Sequence, residues 1–422
     1  MGVSENTVRV PTAARSSTAQ LAADRFAACC ANVLGAIFSF ETLFVLYLFA
    51  GRFKADDRFS WVPVDLTLLL MISSMGVGLR IVAKRGKLDG SALAGVLLYV
   101  LFAGWAAISL VWAPQSSYGE DKVLRMTSLV LWAYAGAALI ISPDPRRIHR
   151  FFRALVILSV WLGVEALYAY LSSGSSEPQL RQVAGSNYLG VGRTVGAALL
   201  VVVVGWLFSR QRNMLRTVLR LAGVLLFSLV LIAAGGRGPF LATAIGVWLA
   251  FTIKHRISKV AVIALTLAAV AFVVVTTNSV PATTLSRFSV LLEDSYGGSS
   301  VFGRLIRMEG AWQQFQISPV IGRGIGSFYH YRGNPLLERD YPHNIFLEVM
   351  AELGLVGLAL LCMLTVASVR PIRWERLSQE PLQLLVTLFL TNSFVNSLVS
   401  GDLSDNRLLF TALGLSVAAR RV

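Results

Sequence analysis

The chain has 422 residues, of which 55% are apolar and 14% are charged. No soluble domain of that length keeps such a balance without exposing large apolar patches, so the composition excludes a soluble enzyme or binding module and indicates an integral membrane protein. The formal net charge of +15 would suit a nucleic acid, but the lysines and arginines form short clusters between apolar runs and not one patch, which excludes that partner.

In chain order, the polar residues 1–26 contain no short apolar stretch with a small-residue cleavage site, so no cleaved signal peptide is expected and the first span serves as the targeting signal. Apolar runs near the ~20 residues needed to cross a hydrocarbon core then recur at 27–49, 62–82, 91–112, 123–142, 152–171, 188–208, 217–234, 238–254, 258–276, 344–369, 381–400 and 405–419. Twelve transmembrane helices are therefore expected, nine within 27–276 and three within 343–422. Alternate connections are basic, among them Arg80, Lys84, Arg85 and Lys87, then Arg146, Arg147, Arg150 and Arg153, then Arg370, Arg373 and Arg376. The positive-inside rule makes these connections cytoplasmic and puts both termini on the same side. Cys29, Cys30 and Cys362 fall within spans at no metal-ligand or disulfide spacing.

Most connections are short, but residues 277–342, on the outer side, are far longer than an ordinary connection and mark a functional element. Within this segment Leu305, Met308, Trp312 and Phe315 recur at three- and four-residue steps, which predicts an amphipathic helix over 303–316 lying on the bundle or in the lipid interface. Ser318-Pro319 ends it, and Gly322-Arg323-Gly324-Ile325-Gly326 forms a turn that requires positive φ somewhere.

The residues suited to chemistry collect on that outer side. In Gly235-Gly236-Arg237-Gly238-Pro239 the proline is placed to open the next helix, so Arg237 stands beside a helix N-terminus, a combination that suits a phosphate. Arg193 is another glycine-flanked arginine at an outer edge, and Arg304, Arg307 and Arg323 add to a cationic surface that opposes the positive-inside trend and suggests a polyanionic ligand. Read alone, Arg304 and Arg307 are equally the polar side of an amphipathic helix. His343 follows Pro342 at the start of a helix, where an imidazole serves as a proton acceptor, a phosphate contact or a helix cap. Glu348 and Glu352 lie about 140° and 180° around the helix from His343 and do not share its face. Glu41 and Glu165 are intramembrane acids with no partner legible in the sequence. Asp402 brings a carboxylate to the outer surface near the last span. No Asp-x-Asp pair stands in an outer loop, so no metal is expected.

Together these motifs resemble the O-antigen ligase family, within the superfamily that also contains O-antigen polymerases and bacterial protein O-oligosaccharyltransferases. The likeness rests on Gly235-Gly236-Arg237-Gly238-Pro239, similar to the family's (Ser/Thr)-Arg motif opening a helix. It also rests on Gly303-Arg304 with Trp312 and the Pro319-x-x-Gly322-x-Gly324 pattern, and on His343 with Gly354 in a His-x10-Gly motif. Gly236 stands where the family has Ser or Thr. The resemblance implies an all-α GT-C type glycosyltransferase with one long, partly helical periplasmic loop, in the bacterial inner membrane. It implies transfer of a polysaccharide from undecaprenyl diphosphate to the lipid A-core oligosaccharide. In that reading His343 is catalytic, Arg237, Arg304 and Arg193 bind the diphosphate, and Asp402, Arg307 and Arg323 contact substrate, with neither cofactor nor metal. The chain is expected to act as a monomer among membrane lipids. A polymerase is expected to show two sizeable outer loops, a protein oligosaccharyltransferase an extra C-terminal extension, and a transporter paired repeats with broken helices; the sequence suggests none of these.

Overall fold

The computed structural model of the protein describes residues 39–53, 56–172, 188–209, 213–255, 299–333 and 339–417, and all regular structure among them is helical. The expected span at 258–276, most of the first span and residues 277–298 of the long loop lie outside the described residues. Among the described residues eight helices are long and apolar enough to cross a membrane: α2 (Leu66–Arg85), α3 (Gly90–Ile108), α4 (Ser117–Ile141), α5 (Pro145–Ser172), α6 (Tyr188–Leu207), α7 (Met214–Ala233), α11 (Ile345–Val369) and α12 (Pro381–Val399). Two apolar helices, α1 (Phe40–Phe49) and α13 (Arg407–Ser416), are only ten residues each, and α8 (Arg237–His255) packs between α6 and α12. The protein is a multi-pass membrane protein. The expected amphipathic helix is α9 (Ser299–Ile317), one turn longer than its apolar spacing predicts, followed by the short α10 (Ser327–Arg332).

Because lipid is as apolar as leucine, helices in a bilayer associate through close packing and polar contacts. At the α6–α8 interface Gly192 meets Pro239, Gly196 meets Thr243 and Gly246 meets Leu200, each too close for a Cβ without a shift. That approach brings Arg193 and Arg237, on neighbouring helices, to the same end of the bundle. The connections at that end, the site end of the bundle, also include the Gly401–Asn406 segment, His343 and the α9–α10 region. The intramembrane acids have basic partners: Glu41 accepts a hydrogen bond from Arg147 at 2.7 Å, and Glu165 pairs with Arg58 at 2.5 Å.

The main departure from expectation is in α11. The sequence predicts one continuous helix over 344–369, yet Gly354 adopts φ 66° and ψ −164°, a conformation open essentially to glycine alone. The break frees backbone groups that must be satisfied internally at membrane depth, and the loop 319–324 supplies the partners. Leu355 N donates to Pro319 O at 2.8 Å and Val356 N to Val320 O at 3.1 Å, while Arg323 N and Gly324 N donate to the Ala351 and Glu352 carbonyls at 3.1 and 2.8 Å. The Trp105 indole N–H donates to Leu353 O at 3.0 Å. The Pro319-x-x-Gly322-x-Gly324 pattern and Gly354 of the His-x10-Gly motif are thus two sides of one backbone joint.

Helix α4 is irregular as well, with π-helical stretches at Met126–Val130 and Ala137–Ile141. Its carbonyls are met by neighbours: Tyr47 donates to Leu129 O, Tyr99 to Met126 O at 2.9 Å, and Arg85 to the Leu139 and Ile140 carbonyls at 3.1 and 3.3 Å.

A methyl group on Gly354 would overlap the Val320 carbonyl oxygen, whereas one on Gly104 of α3 would meet open space. Gly354→Ala is therefore expected to destabilise the protein by more than ~2 kcal/mol, seen as a lower thermal midpoint in detergent. Gly104→Ala is expected to leave the midpoint unchanged or to raise it; equal behaviour of the two would refute the joint.

Candidate functional site

The site is built around the turn into α11. Asn344 is the cap: its side-chain oxygen accepts hydrogen bonds from Phe346 N at 3.0 Å and Leu347 N at 3.1 Å, and its amide donates to Leu398 O at 3.2 Å. Capping, open to His343 on sequence alone, belongs to its neighbour. His343 is left with a φ of 61°, the only non-glycine residue with positive φ among the described residues. That conformation costs an L-residue roughly 1–2 kcal/mol, and backbone strain of this kind gathers at functional sites. The His343 ring packs 4.5 Å from that of Tyr341, and its Nδ1 is buried with no hydrogen-bond partner among the described residues.

Three arginines act on this imidazole through their charge. Burial is the largest influence on it, followed by the positive charges of Arg304 and Arg307, with Asp340 opposing them and Arg193 adding to them. Together these hold the His343 pKa at about 4, below its ordinary 6.5. The ring is therefore neutral at neutral pH, able to accept a proton and unable to act as a phosphate-binding cation until an anion reduces the local positive charge. Arg307 is itself tied to Asp340 through Nε at 2.7 Å, which fixes α9 to the segment leading into His343.

Beside His343 lies a cavity of about 890 Å³, near the upper end of the ~300–1,000 Å³ range of small-molecule sites. Arg193, Arg339, Arg407 and Arg125 line it, with Tyr341, Asp405 and the amides Asn392, Asn396 and Asn406. Asp405 pairs with Arg339 at 3.1 Å and lies 3.9 Å from Arg125. Burial and then the nearby Asp402 raise the Asp405 pKa, while the arginines oppose them. Arg193 Nε is buried without a hydrogen-bond partner among the described residues, and its guanidinium lies against Gly401, whose φ of 87° turns the chain there. Leu48, Leu68, Met71, Leu124 and Leu129 line the same cavity, and Leu68 and Leu124 are exposed. A chamber lined by guanidinium groups and by leucines fits an anionic head carried on a hydrocarbon chain.

The other expected site residues are distributed unequally. Arg237 opens α8 at the site end, with Gly238 against Val399 just before Ser400 and Gly401, but it is not part of the cavity lining. Pro239 is the third residue of that helix, not the first, so Arg237 lies in the first turn, where N–H groups lack helical partners. Arg323 stacks its guanidinium 3.5 Å from the centre of the Tyr331 ring. Asp402 is buried and engaged: Tyr118 and Ser404 hydroxyls donate to it at 3.0 and 2.9 Å, and Asp405 N donates to it at 2.7 Å. The sequence singles out none of Asp405, Arg407, Arg125 and Arg339 as site residues. The polar run Asp402–Arg407 so close to a span was the available signal.

Residues 222–362 match the model of a family described as O-antigen ligase. The likeness to that family is confined to this segment, about a third of the chain. The segment contains Arg237, Arg304, Arg307, Arg323 and His343, together with Arg339 and the entire α11 joint, while Arg193, Asp402, Asp405 and Arg407 lie outside it. No curated protein matches the chain.

The depressed His343 pKa leads to a direct measurement. Since the unfolded chain binds this proton more tightly than the folded one, its contribution to stability is intact above pH 6.5 and is lost as pH falls through about 4. Histidine NMR of the purified protein should show His343 titrating near 4, and inorganic pyrophosphate, by offsetting the arginines, should move that midpoint upward. A midpoint near 6.5 that ignores pyrophosphate would mean the arginines do not face the ring.

Proposed function

We propose that the protein is an O-antigen ligase that transfers a polysaccharide from undecaprenyl diphosphate to a hydroxyl of the lipid A-core oligosaccharide, with inversion at the anomeric carbon. The observation that carries this reading is a positive-φ His343 under the charge of Arg304, Arg307 and Arg193, near a chamber lined by Arg193, Arg339, Arg407 and Arg125 and by leucines. The reacting bond joins an anomeric carbon to a diphosphate, and breaking it leaves charge on the diphosphate oxygens. Guanidinium groups aimed at those oxygens stabilise that charge, so the leaving group can depart without a metal. Arg193, with an unpartnered Nε, Arg304 and Arg237 at its helix N-terminus are assigned that role. Arg339 and Arg407 extend it into the cavity, while Asp402, Arg307 and Arg323 act from farther out or by holding their neighbours.

His343 Nδ1 or Nε2 takes the proton of the attacking hydroxyl as the new glycosidic bond forms and the old bond to the diphosphate breaks. A base with a pKa near 4 is weak in the empty site. The bound diphosphate lessens the positive field on the imidazole and makes it a stronger base when it is needed. The basic connections at the opposite end of the bundle support a cytoplasmic position for that end and a periplasmic one for the site. In this layout residues 1–26 are a cytoplasmic segment, residues 277–342 the periplasmic loop, and the helices before and after it the membrane domain, GT-C in type, with twelve spans.

Reconstitution with a lipid-diphosphate glycan, offering lipid A-core, a second glycan lipid or an acceptor protein in turn, tests the assignment. Transfer to lipid A-core is expected; transfer only to protein, or only to the second glycan lipid, would replace the ligase by another member of its superfamily. His343→Ala and Arg237→Ala should each lower kcat/KM by at least ~10²-fold in protein that still inserts and folds. The acid limb of kcat/KM, which reports the free enzyme, should lie near pH 4 and that of kcat at higher pH; coincident limbs would remove the field-relief argument.

A further inference from the structure

A cluster of buried charge next to the cavity has no part in the transfer just described. The sequence suggests a span starting at 123, which leaves Lys122 in a loop; in the structure Lys122 lies within α4 and is 1% exposed. Its ammonium is 2.5 Å from Glu348 Oε1 and 2.6 Å from Glu352 Oε2, one turn apart on α11, and both carboxylates are as fully buried. Glu348 Oε1 also accepts the Leu403 N–H at 3.1 Å. The Tyr118 ring centre is 5.5 Å from the ammonium, and the Tyr118 hydroxyl donates to Asp402. Two carboxylates thus grip a single lysine, and Tyr118 links the group to Asp402.

Stability does not account for such a cluster, because apolar side chains of similar volume often replace buried ion pairs with no loss. What directional charge contributes beyond packing is register, and the elements joined here are those whose register the site needs. Lys122 is three residues before Arg125, which lines the cavity on α4; Glu348 is five residues after His343; and Leu403 is two residues before Asp405, which pairs with Arg339. A slip of one residue along α11 moves its start by about 1.5 Å, and a misplacement of about 1 Å in a reacting group can cost ~10²-fold in rate.

We propose that Lys122 is a positioning residue: by gripping Glu348 and Glu352 it fixes the start of α11 against the Leu403–Asp405 turn and so sets His343 at working distance from the cavity arginines. The proposal rests on the transfer reading for its kinetic consequence but not for its geometry. Two variants test it, Lys122→Met/Glu348→Leu/Glu352→Met, which replaces the clamp by apolar side chains, and Glu348→Gln, which keeps an acceptor for both Lys122 and Leu403 N–H. The triple variant should insert and fold with a thermal midpoint near that of the parent, lose at least tenfold in kcat, and change its donor KM less than threefold, because Arg193, Arg237 and Arg304 stand on other helices. Glu348→Gln should keep at least half of the parental kcat. A triple variant with parental kcat overturns the proposal. So does one that does not fold, which would make the cluster a folding element, and so does a folded but inactive Glu348→Gln, which would give the carboxylate a chemical role. The NMR titration of His343 reads its placement without any transfer: in the triple variant its midpoint should move at least one unit toward 6.5, and no movement overturns the clamp. Absence of transfer by the parent protein would instead refute the ligase reading and leave that titration to decide the clamp.

Discussion

A helix interrupted within a membrane protein must find new partners for the peptide groups it releases, because hydrocarbon offers none. The rest of the site depends on how this chain meets that demand at Gly354. The loop 319–324 is drawn against α11 as a short backbone ladder, and the end of α9 is drawn with it. Arg304 and Arg307 ride on α9, and Arg307 in turn holds Asp340 two residues before Pro342. The position of the arginines relative to His343 therefore follows from satisfying main-chain hydrogen bonds, before any substrate is considered.

The second constraint is electrostatic. The positive charges of Arg304, Arg307 and Arg193 act on the imidazole and Asp340 opposes them, while Asp405 offsets Arg339. An unliganded site with this many guanidinium groups must hold them apart or neutralise them, and both devices are present: Asp405 pairs with Arg339 while Arg193 is wedged against Gly401 with an idle Nε. Such a chamber is organised for an anion in advance, so little reorganisation accompanies the build-up of charge.

Much of this was legible in the sequence, and the omissions have physical reasons. Apolar run length located the helices, since spans must match the bilayer, and three- and four-residue spacing found α9 because one of its faces packs while the other does not. Arg193, Arg304 and His343 could be singled out because charge near a span is costly and needs an explanation. The partners of buried charge were not legible. Lys122 meets acids more than 220 residues away, and no local periodicity encodes a contact of that range. The same holds for Asp405 with Arg339, and for Arg147 with Glu41. The break in α11 was hidden for another reason: a glycine in a long apolar run is common in membrane helices, and only the companion loop shows that it is a joint. A discontinuous helix was expected of transporters, yet here the break is filled by protein backbone.

The π-helical stretch at Met126–Val130 bears on all of these contacts. A π turn holds one residue more than an α turn, and one residue corresponds to about 100° of rotation about the helix axis. Lys122 and Arg125 lie on one side of that stretch, and Tyr134, packed deep in the bundle, lies on the other. The extra residue lets the lower part of α4 keep its face toward the core while the upper part turns its lysine to α11 and its arginine to the cavity. An ordinary α-helix of one residue fewer would satisfy the membrane equally well and would point both cations elsewhere. The irregularity thus separates what the bilayer requires of this helix from what the chemistry requires, allowing each half of one span to obey a different neighbour.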